Sequence, residues 1–169
     1  MAAVSRWFNA YGYAEVYDGL VIGAVPLDRE DVGMLEWIGV RRILNLVEDE
    51  EYGEGIRDEI ESALDELAIQ EHRIALVDFG GLAPEALEEA VGTINGWLDE
   101  AQTVYVHCRA GWQRSAAVAA GVIATREGIP IDSAVSLVRA RKPTANPLPH
   151  QRDDLRRWWL NRRPSAERL

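Results

Sequence analysis

The sequence predicts one α/β domain, with a mixed central sheet of about five strands flanked by helices. Three observations carry this. Short β-branched runs alternate with longer stretches of helical period, the pattern of an α/β layer. The 169 residues suit a single domain with a sizeable core, and no internal repeat or long linker divides them. Between residues 103 and 117 a strand, a tight loop and a helix follow one another without a break.

Met1 to Ala10 reads as an N-terminal extension, with Trp7 and Phe8 able to tuck onto the body. Tyr13 to Tyr17 and Leu20 to Ile22 are two short strands around an Asp18-Gly19 turn, a hairpin signal. Asp28 to Ile38 is helical, with Asp28 as N-cap, Gly39 as stop, and Met34, Leu35 and Ile38 on one face. Arg42 to Val47 is a strand, Glu48 to Gly55 an acidic, glycine-containing loop. Ile56 to Ala68 is a helix with Ile56, Ile60, Leu64 and Leu67 on one stripe. Glu71 to Val77 alternates as a strand, and Asp78 to Ala83 is a loop holding Gly80-Gly81. Pro84 opens a helix to about Glu100. Thr103 to Val106 is a buried strand. Helices then run from Arg114 to Glu127, from Pro130 to Arg141 and from His150 to Arg162, the last anchored by Leu155, Trp158 and Trp159.

Composition narrows the function. The net charge of −10 argues against a nucleic-acid partner. Residues 28–66 hold 14 acidic side chains against four arginines, read most simply as a solvated helical face. Residues 151–169 hold six arginines against three acidic side chains. No apolar run approaches the ~20 residues that cross a bilayer. The N-terminus lacks the order of a signal peptide, so a cytoplasmic location without stable membrane insertion is expected. A single cysteine excludes an internal disulfide and suits a reducing compartment.

That cysteine, Cys108, begins the loop that ends at Arg114. A loop entering a helix N-terminus gathers free backbone N–H groups around one concavity, where the helix dipole adds positive charge. Such a nest binds a phosphate-like anion and favours a thiolate beneath it. The planar fork of Arg114 can hold two phosphate oxygens. The bland alternative is a buried core thiol, which leaves the offsets of Gly111, Arg114 and Ser115 without explanation.

His107-Cys108-Arg109-Ala110-Gly111-Trp112-Gln113-Arg114-Ser115 resembles the H-C-x5-R-S/T signature of cysteine-based phosphatases, the dual-specificity branch most. The resemblance implies a single-domain cysteine phosphatase fold over 11–163 with a tail at 164–169. It implies phosphate monoester hydrolysis through a phospho-cysteine, without metal or other cofactor. Cys108 is then the nucleophile, and Arg109, Ala110, Gly111, Trp112, Gln113 and Arg114 form the phosphate loop. His107 is a supporting residue rather than a base. Ser115 hydrogen-bonds the sulfur, and it can also cap the helix. In that family an aspartate about thirty residues before the cysteine protonates the leaving group. Asp78 stands there, at the C-terminal end of a strand where open α/β sheets collect ligands. Asp78 can instead cap the next helix or sit in solvent.

Within that branch the chain is similar to the mitochondrial phosphatidylglycerophosphate phosphatase subgroup, through Gly23-Ala24-Val25-Pro26, Glu50-Glu51-Tyr52, Val77-Asp78 and Val104-Tyr105-Val106-His107-Cys108. In that subgroup Glu50, Glu51 and Tyr52 belong to the substrate rim; as plain residues they also fit a solvated turn. Trp112 and Gln113 stand where the subgroup usually has small or basic residues. Trp112 fits the rim or the core. The expected substrate is a phosphorylated protein, lipid or small molecule, with the oligomeric state left open. A rhodanese-like sulfurtransferase and a non-catalytic phosphate-binding module are the alternatives.

Overall fold

A computed structural model describes residues 3–162. The C-terminal tail proposed at 164–169 lies outside them. The described residues form five strands and seven α-helices: α1 Arg6–Tyr11, β1 Tyr13–Tyr17, β2 Leu20–Gly23, α2 Arg29–Trp37, β3 Val40–Asn45, α3 Ile56–Glu66, β4 Gln70–Arg73, α4 Pro84–Asp99, β5 Thr103–His107, α5 Arg114–Glu127, α6 Ile131–Arg141 and α7 Pro149–Arg162. The sheet order is β1-β2-β5-β3-β4; β1 pairs antiparallel with β2, and the other neighbours are parallel. The mixed five-stranded sheet expected from the sequence is therefore present. Among the described residues no helix is long and apolar enough to cross a membrane.

Two apolar layers cover the sheet. On one side α1, α2 and α3 contribute Phe8, Val32, Leu35, Ile60 and Leu64. On the other, α4 to α7 pack around α5, where every residue from Arg114 to Ala124 is buried. A helix buried all round must be apolar all round, and Ala116, Ala117, Ala119 and Ala120 satisfy this while letting neighbours approach closely. Gly121 marks the tightest contact: a Cβ there would lie 2.9 Å from Val91 and 3.3 Å from Trp158.

Residues 3–11 are more than an extension. Residues 6–11 form α1, capped by Ser5, whose Oγ accepts from the Phe8 amide at 3.2 Å. Ser5 in turn donates through its amide and hydroxyl to Asp31, at 2.7 and 2.6 Å, and Phe8 is buried. Asp31 is a correction to the solvated acidic face, because it is fully buried. Burial raises its pKa against the hydrogen bonds from Ser5 and from the Leu27 amide. β4 is shorter than the predicted 71–77 run, yet the ladder continues: the Ile74 and Leu76 amides donate to Asn45 and Leu46 carbonyls, both at 3.0 Å. That continuation carries the chain to Asp78 beside the end of β5.

Candidate active site

β5 is the middle strand, and its C-terminal end delivers His107 and Cys108 directly beneath the start of α5. The intervening loop turns on Gly111, with φ +76°. A Cβ on Gly111 would stand 2.5 Å from the carbonyl carbon of Gly23, so two glycines let the loop lie on the end of β2. Gly111→Ala is expected to lower turnover at this loop about 100-fold and to lower the melting temperature, since both strain and overlap oppose the native loop. Steady-state rates and a thermal melt check this.

Cys108 is buried, with Sγ 3.4 Å from Ser115 Oγ. His107 is fully buried, and burial brings its pKa down to about 4. Its Nδ1 lies 3.3 Å from the Cys108 carbonyl, an acceptor, so Nδ1 carries the proton. A ring with its basicity lowered this far, donating to backbone, fits the supporting role rather than that of a base.

Arg114 is 1% exposed, yet almost every edge of its guanidinium is occupied. Nη1 and Nη2 each donate to Glu51 at 2.8 Å, Nη1 also to the carbonyls of Leu76 at 2.9 Å and Leu46 at 3.3 Å. Nη2 lies 3.2 Å from Asp78 Oδ1. Nε is buried and has no hydrogen-bond partner among the described residues. Nε–H is thus the guanidinium donor without a partner, while Nη2 beside it faces Asp78.

These groups meet in a cleft of about 340 Å³, lined by Cys108 and Arg114, by Asp78 and Phe79, and by Tyr11 and Trp112. Asp78 therefore reaches the site. Trp112 is 42% exposed with its ring 5.3 Å from that of Tyr11, which places it on the rim. Arg109 is exposed, its guanidinium 5.5 Å from the Trp7 ring; its carbonyl accepts from Trp7 Nε1 at 3.2 Å and from the Val25 amide at 3.0 Å. Ala110 and Gln113 also line the cleft. A larger cavity of about 660 Å³, beside β4, is lined by Glu61, Asp65, Glu71 and His72 and by none of the phosphate-loop residues.

The structure divides the Glu50-Glu51-Tyr52 segment, leaving Glu50 in solvent and turning the other two inward. Glu50 is exposed, but Glu51 lies behind Arg114 as its bidentate partner. The 3₁₀ turn Asp49–Glu51 aims that carboxylate inward, and the Glu48 amide donates to it at 2.9 Å. Tyr52 accepts from Asn45 Nδ2 at 2.8 Å, with the Arg57 and Arg73 guanidinium groups 5.8 and 5.9 Å from its ring. Trp7 and Tyr11 of α1 are site residues that the sequence did not reveal. Ser5 ahead of an aromatic helical run was their only local signal.

The profile described as the dual specificity phosphatase catalytic domain matches residues 33–159. No curated protein sequence matches the chain. Among solved structures the fold is similar to Tk-PTP in its active form, with TM-score 0.76 and 19% identity over 86% of this chain and 95% of that one. It is similar to PTPMT1, also at 0.76, with 22% identity over 87% and 93% of the two chains, a protein also solved in complex with PI(5)P. Human DUSP28 aligns at 0.64 with 19% identity over 86% and 91%.

Proposed function

The chain belongs to the dual-specificity phosphatase catalytic-domain family of cysteine-based phosphatases, and from that premise we propose that it hydrolyses phosphate monoesters through a phospho-cysteine on Cys108. The observation that carries this is the shared cleft: Cys108, Arg114 and Asp78 line it together, Glu51 holds one edge of the Arg114 fork, and the buried Nε–H has no partner among the described residues.

The substrate phosphate displaces Asp78 from Nη2 to take the Nε–Nη2 edge of Arg114, and it takes the amides of the loop at the head of α5. Cys108 Sγ attacks phosphorus, the bond from phosphorus to the ester oxygen breaks, and Asp78 gives its proton to that oxygen. In the second step Asp78 takes a proton from water as its oxygen attacks phosphorus. The S–P bond breaks, and the Ser115 hydroxyl donates to the departing thiolate. Arg114 faces the equatorial oxygens in both transition states.

The substrate class is a phosphoprotein, on Tyr, Ser or Thr, or a phospholipid head-group monoester. The likeness in fold to PTPMT1 and the apolar rim of Phe79 and Trp112, 64% and 42% exposed, support keeping the lipid in this class. Phosphate release from an aryl phosphate, phosphotyrosine and phosphothreonine peptides, phosphoinositides and phosphatidylglycerophosphate tests the reading. Asp78→Asn is expected to slow esters of poor leaving groups about 100-fold and nitrophenyl phosphate far less. Absence of turnover across the whole panel would overturn the hydrolase reading in favour of a binding module or a sulfurtransferase.

A further inference from the structure

The loop that carries Asp78 is held by groups the mechanism does not use. His150 Nε2 lies 3.0 Å from the Phe79 carbonyl and 3.3 Å from that of Gly80. Both are acceptors, so the ring presents Nε2–H to them. Gln151 is fully buried. Its Oε1 accepts from the Leu148 amide at 3.0 Å, which fixes the amide with Nε2 toward Gly80 O, at 3.1 Å, and toward Gln113 Oε1, at 3.5 Å. Asp154 Oδ2 accepts from the Leu82 amide at 2.8 Å. One turn of α7 thus grips the backbone on the far side of Asp78, and Gln151 joins it to the phosphate loop.

Phe79 shows why a grip is needed. Its φ is +61°, a conformation that L side chains rarely adopt, and its ring is 64% exposed, so core packing does not hold it there. Its carbonyl, and that of the glycine after it, are the atoms His150 engages. Released from His150, Phe79 is free to leave the left-handed region, and Asp78, the adjacent residue, moves with it.

We propose that His150 and Gln151 are positioning residues for the general acid, keeping the Phe79 and Gly80 carbonyls where Asp78 stays beside Arg114 within the Cys108 cleft. This rests on the reading of Asp78 as the acid.

The test is a series of aryl phosphates whose phenols span a range of acidity, with kcat/KM plotted against leaving-group pKa. His150 is exposed, so His150→Phe is the first variant; His150→Gln restores an N–H donor, and Gln151→Met keeps the shape of the buried side chain. His150→Phe is expected to slow phenyl phosphate about 10-fold and nitrophenyl phosphate less than about 2-fold, steepening the plot toward that of Asp78→Asn. Alkylation of Cys108 by iodoacetate should proceed at the wild-type rate, and His150→Gln should recover most of the loss. An equal fall across the series, or none, while Asp78→Asn steepens the plot, would overturn the positioning role alone. A flat plot for Asp78→Asn would overturn the acid assignment and the positioning role together.

Discussion

Cys108→Ser is expected to leave a folded protein that binds phosphate but releases it from esters more slowly by a factor on the order of 10⁵ or more, the scale of losing a catalytic nucleophile. Activation of the nucleophile decides this. The thiolate is the attacking species, and a thiol is a far stronger acid than an alcohol. A serine hydroxyl in the same place needs a base. The adjacent ring, His107, is neutral with its Nδ1–H turned to the Cys108 carbonyl, and the side-chain oxygen facing the sulfur is the hydroxyl of Ser115 at 3.4 Å. A ring whose pKa lies near 4 is a weak base, and a hydroxyl is a weaker one. The anion cradle is untouched, because Arg114 and the loop amides do not depend on the sulfur. Single-turnover phosphate release and calorimetry with inorganic tungstate separate the two properties. Residual turnover above about 1% would sink the phospho-cysteine route, and loss of tungstate binding would show that the substitution had disturbed the cradle.

What was legible in the sequence followed from local chemistry. The strand, loop and helix around Cys108 announce themselves because one short segment holds nucleophile, glycine turn and arginine, and the structure places all of them as a local reading requires. Asp78 was found through the spacing that the family resemblance implies, together with its place at the end of a strand, and the ladder from Ile74 and Leu76 to β3 explains why it arrives at the cleft. Illegible parts depend on partners distant in sequence. Glu51 and Arg114 are 63 positions apart, and nothing near Glu51 tells a carboxylate that will grip an arginine from one that will face water. Asp31 was placed in solvent for the same reason: its partners, Ser5 and Leu27, come from a segment and a turn that become neighbours only on folding. α1 is short enough that its pattern was easily read as a tail, and it is the contact of Phe8, Trp7 and Tyr11 with the body that makes it a wall of the site.

Arg114→Lys should lower kcat about 10³-fold, although it keeps the positive charge. The guanidinium spans acceptors on four residues at once: Glu51 on two oxygens, the carbonyls of Leu46 and Leu76, and Asp78, while Nε–H has no partner among the described residues. An ammonium is a single point with three donors and cannot hold Glu51 and two phosphate oxygens along separate edges. Glu51→Gln tests the other half of the pair. It keeps the shape, removes the charge, and leaves a nearly fully buried guanidinium with its bidentate anion gone, a change that costs about 3 kcal/mol in buried pairs. Burial pushes the Glu51 carboxyl upward, but the Arg114 hydrogen bonds and the Glu48 amide outweigh it and hold its pKa below the ordinary value of 4.5. A folded-state pKa below the unfolded one means that the pair contributes fully above the ordinary glutamate range and loses its contribution as pH falls through the lowered value. The stability gap between wild type and Glu51→Gln, measured by urea unfolding at several pH values, should therefore be widest near neutrality and close on acidification. A gap independent of pH would mean that Glu51 fills space behind Arg114 without supplying charge. A wild-type rate in Arg114→Lys would mean that the fork edge is not what holds the phosphate.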